Sequence, residues 1–179
     1  EQFNDYCPNG LQIEGKQHIA KVITGVTASQ ALIDQAIAEQ ADALLVHHGF
    51  FWQGENPVLT GIKYRRIKAL MDNNINLLAY HLPLDAHPVV GNNHQLAKAL
   101  KLKKIESFGK QQLALIGEIK SGNADTLALK LEKLLNRKPL HINCTKKIKR
   151  LALCSGAAQS YIVDAIEQGA DAFISGEIS

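Results

Sequence analysis

Cysteine is scarce in this sequence, and the three cysteines do not form a recognisable cross-linking pattern. Cys7, Cys144 and Cys154 are odd in number and include no Cys-x-x-Cys pair. A disulfide framework is therefore not expected, and each cysteine is interpreted as a small buried residue. This cysteine usage predicts a reducing compartment and a cytoplasmic location.

Long apolar runs and a strong charge of one sign are also lacking. No apolar run approaches the roughly 18 residues that a bilayer span needs, so a membrane partner is not expected. The net charge is only +3 and aromatic residues make up 6% of the chain. A nucleic-acid partner is disfavoured, because such a surface needs more basic charge with interleaved aromatics. The sequence starts without Met and stops soon after Gly176-Glu177, so we expect a fragment of a longer protein.

What the sequence does contain is a repeated strand–helix–strand pattern. Residues 21–26 and 43–46 are short apolar runs typical of buried parallel strands, and helical spacing of apolar residues lies between them. Thr27 and Gln30 fit a capping box at the start of that helix. Further predicted elements are helices over 64–73, 93–100 and 124–136 and strands over 76–80 and 113–119. Two prolines in the segment 81–88 argue against a helix there.

The pattern over residues 21–48 recurs over residues 150–177. Eight of 28 aligned positions are identical, against about two expected by chance. One interpretation is an internal duplication, and the alternative is that any two strand–helix–strand units look alike. We predict an α/β protein of two related lobes, a mostly parallel layered sheet with helices on both faces. The predicted lobes are residues 1–105 and 106–179.

Histidines and an aspartate follow the predicted strands. His47 and His48 close one strand, and His81 and Asp85 follow another. The carboxyl ends of neighbouring parallel strands lie roughly 5 to 10 Å apart, so these side chains are expected to converge. Neutral imidazole and carboxylate suit Zn, Fe, Mn, Co or Ni. The alternatives are that the His-His pair caps the strand through backbone carbonyls and that His81 is structural.

Adjacent residues on a strand point to opposite faces, which constrains how His47 and His48 bind metal. They meet one site only past the last pleat of the strand, or they bind two ions from either side. Asp85 would suit a bridge between two ions about 3.5 to 4 Å apart, a centre that lowers the pKa of bound water. Further ligands would come from Glu177, from residues outside this sequence, or from water.

Five motifs in order along the chain resemble the NGG-interacting-factor-three-like family, whose bacterial members are usually labelled homologues of type-two GTP cyclohydrolase I. The motifs are residues 5–12 (DYCPNGLQ), 46–52 (VHHGFFW), 81–85 (HLPLD), 91–93 (GNN) and 175–177 (SGE). The resemblance implies two related α/β lobes around a metal-binding cavity that holds a dinuclear metal centre, and assembly into toroidal homohexamers. It assigns His47, His48 and Asp85 as metal ligands and puts His81 near the metals. The family's remaining His and Glu ligands have no counterpart here.

Two functions are compatible with these residues. The first is a dinuclear-metal-dependent, GTP cyclohydrolase-like hydrolase that holds two divalent ions and acts on a nucleotide-like or small polar substrate, with His81 as a catalytic proton shuttle. The second is a non-catalytic metal-binding ring scaffold, or a regulatory protein associated with DNA. Metal delivery is a weaker third hypothesis.

Overall fold

The computed structural model describes residues 3–142 and 147–178. The chain divides into two compact units, one ending at Leu84 and the other beginning at Asp85. The sequence placed this division after residue 105, further along the chain. Cys144 lies outside the described residues, and Cys7 and Cys154 are free and buried.

The first unit contains one four-stranded sheet and two long helices. Its elements are β1 (Gly10–Ile13), β2 (Val22–Thr27), α1 (Gln30–Ala38), β3 (Ala43–His48), α2 (Gly61–Asp72) and β4 (Asn76–Ala79). The strand order is β1-β4-β3-β2. β2, β3 and β4 are parallel, and β1 is antiparallel to β4. The short strand β1 was not predicted, because Pro8, Asn9 and Gly10 together are typical of a turn.

Local signals explain where these elements begin. α1 is capped by Ser29, whose hydroxyl accepts a hydrogen bond from Leu32 N. The Thr27–Gln30 capping box predicted from sequence is therefore wrong, since β2 runs to Thr27 and the cap lies two residues later. A serine oxygen at this position satisfies one of the amide groups that the first helical turn leaves without a partner.

The two helices of the first unit share one face of its sheet. β2, β3 and β4 follow one another in the chain and lie side by side in the sheet. Crossovers between parallel strands are right-handed almost without exception, which puts the two connecting helices on the same side. The helices contact each other and enclose a core containing the fully buried Ile33, Leu44 and Leu70. The predicted α/β class is confirmed, and of the helices expected on both faces, α1 and α2 share one.

The second unit is built around another four-stranded sheet. Its elements are α4 (Asn92–Leu100), β5 (Lys103–Phe108), β6 (Ala114–Gly122), α5 (Ala124–Leu135), β7 (Ile148–Cys154), α6 (Ile162–Glu167) and β8 (Ala172–Ser175), and α3 (Leu82–Ala86) precedes them. The strand order is β5-β6-β7-β8. Only β7 and β8 are parallel; β6 is antiparallel to both of its neighbours. The mostly parallel sheet expected from the alternation of strands and helices is therefore wrong for this unit.

Packing of α4 explains why the division between units precedes residue 105. Ala97 and Leu100 of α4 are fully buried in a core with Leu115, Leu151 and Leu153. These are residues of β6 and β7, so α4 belongs to the second sheet. The second unit therefore includes a helix that the sequence analysis assigned to the first lobe.

The strand–helix–strand segments of the two units agree in register and in hydrogen bonding. The aligned strand partners are Val22 with Ala43 and Leu151 with Ala172. The aligned bonds that end the helices, each 2.9 Å long, run from Ala41 N to Ala36 O and from Ala170 N to Ala165 O. This agreement supports internal duplication, which stays a prediction.

Two further features differ from expectation. The proline-containing segment forms the short helix α3, because Pro83 lies in its first turn, where a missing N–H costs no hydrogen bond. β5 was missed because its polar sequence, Lys103–Phe108, is typical of a linker; it is an exposed edge strand. Among the described residues, no helix combines the length and apolar character that a bilayer span requires.

Candidate metal centre

Three histidines meet at one edge of the first sheet. His47 and His48 end β3, and His81 follows β4, the parallel neighbour of β3. The ring centroids are 4.5 Å apart for His47–His48, 5.0 Å for His47–His81 and 5.7 Å for His48–His81. The convergence of these imidazoles, expected from the neighbouring strand ends, is present.

The spacing of the ring nitrogens fits a metal ion. One ligand atom from each of His47, His48 and His81 lies within 4.8 Å of the other two, and all three residues are half-buried. His47 and His48 are the last two residues of β3, and their ligand atoms reach a common point although the residues are adjacent. Three neutral imidazoles suit a divalent transition metal. This donor set therefore fits the metal that the resemblance implies.

Each of these imidazoles has its Nδ1 engaged by a neighbouring element. His47 Nδ1 lies 2.9 Å from the carbonyl oxygen of Tyr80, and His48 Nδ1 lies 3.2 Å from Thr27 Oγ1. A carbonyl only accepts, so His47 donates from Nδ1 and its Nε2 carries the lone pair. Hydrogen bonds of this kind orient metal-binding histidines and fix their tautomer. His47 does bond a backbone carbonyl, as the strand-capping alternative predicts, but it uses Nδ1 for that bond. Its Nε2 is the nitrogen suited to metal coordination.

Strand order explains these partners. Thr27 pairs with His48 across β2 and β3, and Tyr80 directly follows Ala79, the partner of Val46. The carboxyl ends of β2, β3 and β4 therefore supply both the imidazoles and the groups that orient them. This edge is where open α/β sheets usually bind ligands.

Asp5 belongs to the candidate site but was not predicted from the sequence as a site residue. Because β1 runs antiparallel to β4 with Gly10 opposite Ala79, the segment before β1 lies beside the segment after β4. Asp5 Oδ1 lies 2.6 Å from His81 Nδ1, and the Asp5 side chain is only 4% exposed. The available signal was the Asp-x-x-x-Asn-Gly spacing, in which two side chains that accept backbone N–H bonds precede a turn.

Four hydrogen bonds surround the Asp5 carboxylate. They come from the backbone N–H groups of Tyr6 and Leu82, the Asn9 amide and the His81 ring. Burial raises the pKa of Asp5, but these bonds outweigh it and hold the pKa below its usual value. Asp5 is therefore an ionised acceptor at neutral pH.

Cys7 lies close to this pair but does not suit a second metal site. One ligand atom each of Asp5, Cys7 and His81 lies within 4.8 Å of the others. Burial, followed by the charge of Asp5, raises the pKa of the Cys7 thiol to about 11. The Asp5 oxygens already accept four hydrogen bonds, and the thiol is buried. Cys7 is therefore a buried apolar residue here, as the sequence predicted.

Trp52, the single tryptophan of the chain, packs against the histidines. Its ring centroid lies 5.0 Å from that of His81, edge to face, and 5.9 Å from that of His48. The loop that carries it is held by a 2.9 Å ion pair between Glu55 and Lys63, whose ammonium also lies 5.4 Å from the centre of the Phe51 ring. The indole thus forms a fixed aromatic wall of the histidine cluster.

Gly49 allows the chain to turn closely after the histidines. A Cβ at this position would lie 2.8 Å from Ala79 Cβ. Directly after it, Phe50 N donates to Gln12 Oε1 at 2.7 Å, and Gln12 Nε2 donates to Pro8 O. The His-His-Gly sequence therefore contains a glycine because β4 packs directly against that turn.

Asp85 lies in the second unit and is 9% exposed. Its Oδ1 accepts a 2.7 Å hydrogen bond from Asn92 Nδ2 and a 3.0 Å bond from Ser155 Oγ. Asn93, which is fully buried, accepts from Ser155 N and donates to Leu113 O. The Gly-Asn-Asn motif therefore orients Asp85 and fixes the loop after β7.

Glu177, named from the sequence as a possible further ligand, follows β8. Its backbone N donates to Gly156 O at 3.1 Å, and its carbonyl accepts from Ser175 Oγ at 2.7 Å. Gly176 has no room for a side chain, since a Cβ would lie 2.5 Å from Gly156 N. These contacts hold the backbone of the Ser-Gly-Glu motif.

Known proteins match this chain over nearly its whole length. The profile of the family described as Duf34/NIF3 (NGG1p interacting factor 3) matches residues 1–179. A protein of Haemophilus influenzae named GTP cyclohydrolase 1 type 2 homolog is 53% identical over 184 residues, covering 100% of this chain and 73% of that protein. A protein of Pseudomonas aeruginosa with the same name is 47% identical over 182 residues, covering 99% and 72%.

Solved structures also match this chain over nearly its whole length. Protein ybgI, described as of unknown function, is 49% identical with a TM-score of 0.91, over 99% of this chain and 72% of that one. A Thermus thermophilus protein is 34% identical with a TM-score of 0.87, over 98% and 71%. The match in sequence and in fold extends over both units, so this chain is a member of the Duf34/NIF3 family.

Proposed function

We propose that this protein is a metal-dependent hydrolase with a dinuclear centre. The observation that carries the proposal is the convergence of His47, His48 and His81, three oriented imidazoles with ligand atoms within 4.8 Å of one another. Their Nδ1 contacts are those expected of oriented metal-binding histidines.

The proposed metal ligands are His47, His48 and Asp85. The two histidines are supported by their geometry in the first unit. Asp85 is supported by the family pattern and by its low exposure, with Asn92 and Ser155 holding its Oδ1. When bound, two divalent ions would polarise a substrate oxygen and lower the pKa of water.

His81 is proposed to move a proton. A histidine whose Nδ1–H is bonded to a carboxylate has its lone pair on Nε2, and that nitrogen accepts a proton from a reacting group. The Asp5 carboxylate, 2.6 Å from Nδ1, then stabilises the imidazolium. The arrangement is that of a base oriented by a third group.

The proposed substrate is nucleotide-like or otherwise small and polar, with a planar ring. Trp52 offers an aromatic surface 5.0 Å from His81, against which a flat heterocycle would pack. Relatives named as homologues of GTP cyclohydrolase 1 type 2 favour a purine nucleotide as the first candidate.

A toroidal homohexamer is proposed from the family resemblance. Exposed apolar side chains support assembly: Val22 and Val26 of the edge strand β2 are 49% and 68% exposed, and Ile166 of α6 is 67% exposed. Light scattering coupled to size-exclusion chromatography of the full-length protein tests it, and a monomer at micromolar concentration would contradict it.

Elemental analysis of the intact protein tests the centre itself. We expect bound metal in wild type and loss of most of it in His47→Ala and Asp85→Ala, with circular dichroism unchanged. His18→Ala, an exposed histidine of the same unit, is the matched control and should retain metal. Metal-loaded wild type is then assayed on GTP, phosphoesters and cyclic amides. Stoichiometric metal without turnover on any of them would count against the hydrolase.

A further inference from the structure

Asp5 and Asn9 hold the segment after β4 by both its backbone and its ring. Asn9 Oδ1 accepts from His81 N at 2.8 Å, and Asp5 Oδ2 accepts from Leu82 N at 2.9 Å. Asp5 Oδ1 takes the His81 ring at 2.6 Å, and Asn9 Nδ2 donates to Asp5 Oδ2 at 2.8 Å. The two side chains therefore hold different parts of this segment. Asn9 bonds only the backbone of His81, whereas Asp5 bonds the backbone of Leu82 and the ring of His81.

The carboxylate determines which ring nitrogen carries the proton. Both Asp5 oxygens face N–H donors, and an ionised carboxylate only accepts. The ring nitrogen 2.6 Å from Oδ1 must therefore be the protonated one, which leaves the lone pair of neutral His81 on Nε2. The same ring packs against His47 and His48, 5.0 and 5.7 Å away between centroids.

We propose that Asp5 is the positioning residue that keeps His81 in the Nδ1–H tautomer, so that the Nε2 lone pair is available at the three-histidine cluster. The use of that lone pair, on a proton or on an ion, rests on the proposed function. The tautomer does not, since it follows from contacts within the first unit alone.

An amide cannot replace this carboxylate, although its size is the same. In Asp5→Asn, an NH₂ group in the place of Oδ2 would face two donors, Leu82 N and Asn9 Nδ2. A backbone N–H cannot accept a hydrogen bond. The Asn9 side chain cannot turn its oxygen towards residue 5 while Asn9 Oδ1 accepts from His81 N. In the place of Oδ1 the NH₂ group would face Tyr6 N and the His81 ring, and the ring can change tautomer. Asp5→Asn is therefore expected to place its NH₂ towards His81 and move the ring proton to Nε2.

Long-range ¹H–¹⁵N NMR of the metal-free protein reads the tautomer directly. The His81 signals are assigned by their loss in His81→Gln. Wild type should show a protonated Nδ1 and an unprotonated Nε2, and Asp5→Asn should show the reverse. Asn9→Ala removes the bond to the His81 backbone and one bond to Asp5 Oδ2, but it leaves the bond between Asp5 Oδ1 and the ring, so it should retain the wild-type pattern.

The outcomes separate a positioning role from a general structural one. A wild-type His81 with its proton on Nε2 would overturn the proposal, even if Asp5→Asn failed to fold. A tautomer unchanged in Asp5→Asn, or changed equally in Asn9→Ala, would also overturn it. Because no metal or substrate is present, these results are independent of whether the protein binds metal or hydrolyses anything.

Discussion

Asp42 and Asp171 make the same pair of backbone hydrogen bonds at aligned positions of the two units. Each carboxylate uses Oδ2 to accept from two successive N–H groups at the start of the neighbouring strand. The donors are Ala20 and Lys21 for Asp42, at 3.0 and 2.9 Å, and Lys149 and Arg150 for Asp171, at 2.8 and 2.9 Å. The aspartate in each Ala-Asp-Ala sequence therefore ties the end of the helix-to-strand turn to the preceding strand.

Replacing Asp42 should make the thermal stability of the protein fall less steeply between neutral and acid pH. The hydrogen bond from Lys16 makes the largest contribution to a pKa of Asp42 that lies well below its usual range. The backbone N–H groups of Lys21 and Ala20 also lower this pKa. A group with a lowered folded-state pKa stabilises the fold above its unfolded value, ~3.9, and the contribution is lost as pH falls through the folded pKa. Asp42→Asn should therefore lower Tm at pH 7, and its gap to wild type should narrow below about pH 4.

Thermal unfolding by circular dichroism between pH 2 and 8 measures this gap. Asp34→Asn, an exposed carboxylate of α1 whose side chain is bonded to Gln30, provides the comparison and should follow wild type. A gap for Asp42→Asn that stays constant down to pH 2 would show that the charge is not the source of the stabilisation.

Asp171→Asn should loosen the second unit only. Removing the acceptor charge weakens the bonds from Lys149 and Arg150, so amide exchange should quicken at these residues and along the β7–β8 pair. Hydrogen exchange with mass spectrometry should show wild-type protection across β2 and β3. In Asp42→Asn the pattern should be reversed, and equal changes in both units in either variant would contradict this account.

Trp52 should report metal binding through its fluorescence. The indole lies 5.9 Å from the His48 ring and 5.0 Å from the His81 ring, so an open-shell ion bound there quenches it at contact range. We expect saturable quenching of metal-free protein by Co²⁺ or Ni²⁺, competed by Zn²⁺, which has a filled d shell. The single tryptophan makes the signal unambiguous.

The histidine variants provide the controls for this titration. His47→Ala and His48→Ala should abolish the saturable phase, and the exposed His18→Ala should keep it. Saturable quenching that persists at the same midpoint in His47→Ala would place the ion elsewhere.

Loss of the groups that orient Asp85 should weaken metal binding without removing a ligand. Asn92 and Ser155 both donate to Asp85 Oδ1, and residues that orient a ligand typically affect metal affinity about 10- to 100-fold. The double variant Asn92→Ala/Ser155→Ala should bind Co²⁺ more weakly by a factor in this range, measured by competition with a chelator in the full-length protein. Lys130→Ala, whose ammonium donates to the Leu100 carbonyl, is the control. Unchanged affinity in the double variant would argue against Asp85 as a ligand.

Periodic apolar residues made much of the fold predictable. The runs at residues 21–26 and 43–46 predicted β2 and β3 to within two residues, and the helix predicted over 124–136 is α5, Ala124–Leu135. These elements bury apolar faces, so their pattern is visible in one segment alone. β1 and β5 were missed because short edge strands depend on partners distant in the sequence.

The candidate site was predicted only where it coincides with strand ends. His47, His48 and His81 follow apolar runs, so their convergence could be anticipated from parallel pairing. Asp5 could not, because its contact with His81 joins residues 76 positions apart. It depends on the antiparallel pairing of β1 with β4, and no local signal identifies that partner.

The sequence alone determined the α/β class, the repeated strand–helix–strand pattern and the histidines at strand ends, because each of these follows from local periodicity and residue chemistry. The tertiary structure decided the strand order, the orientation of each imidazole and the division of the chain near Leu84. These features depend on which distant segments bury the same surface and exchange the same hydrogen bonds, and only the folded chain brings those segments together.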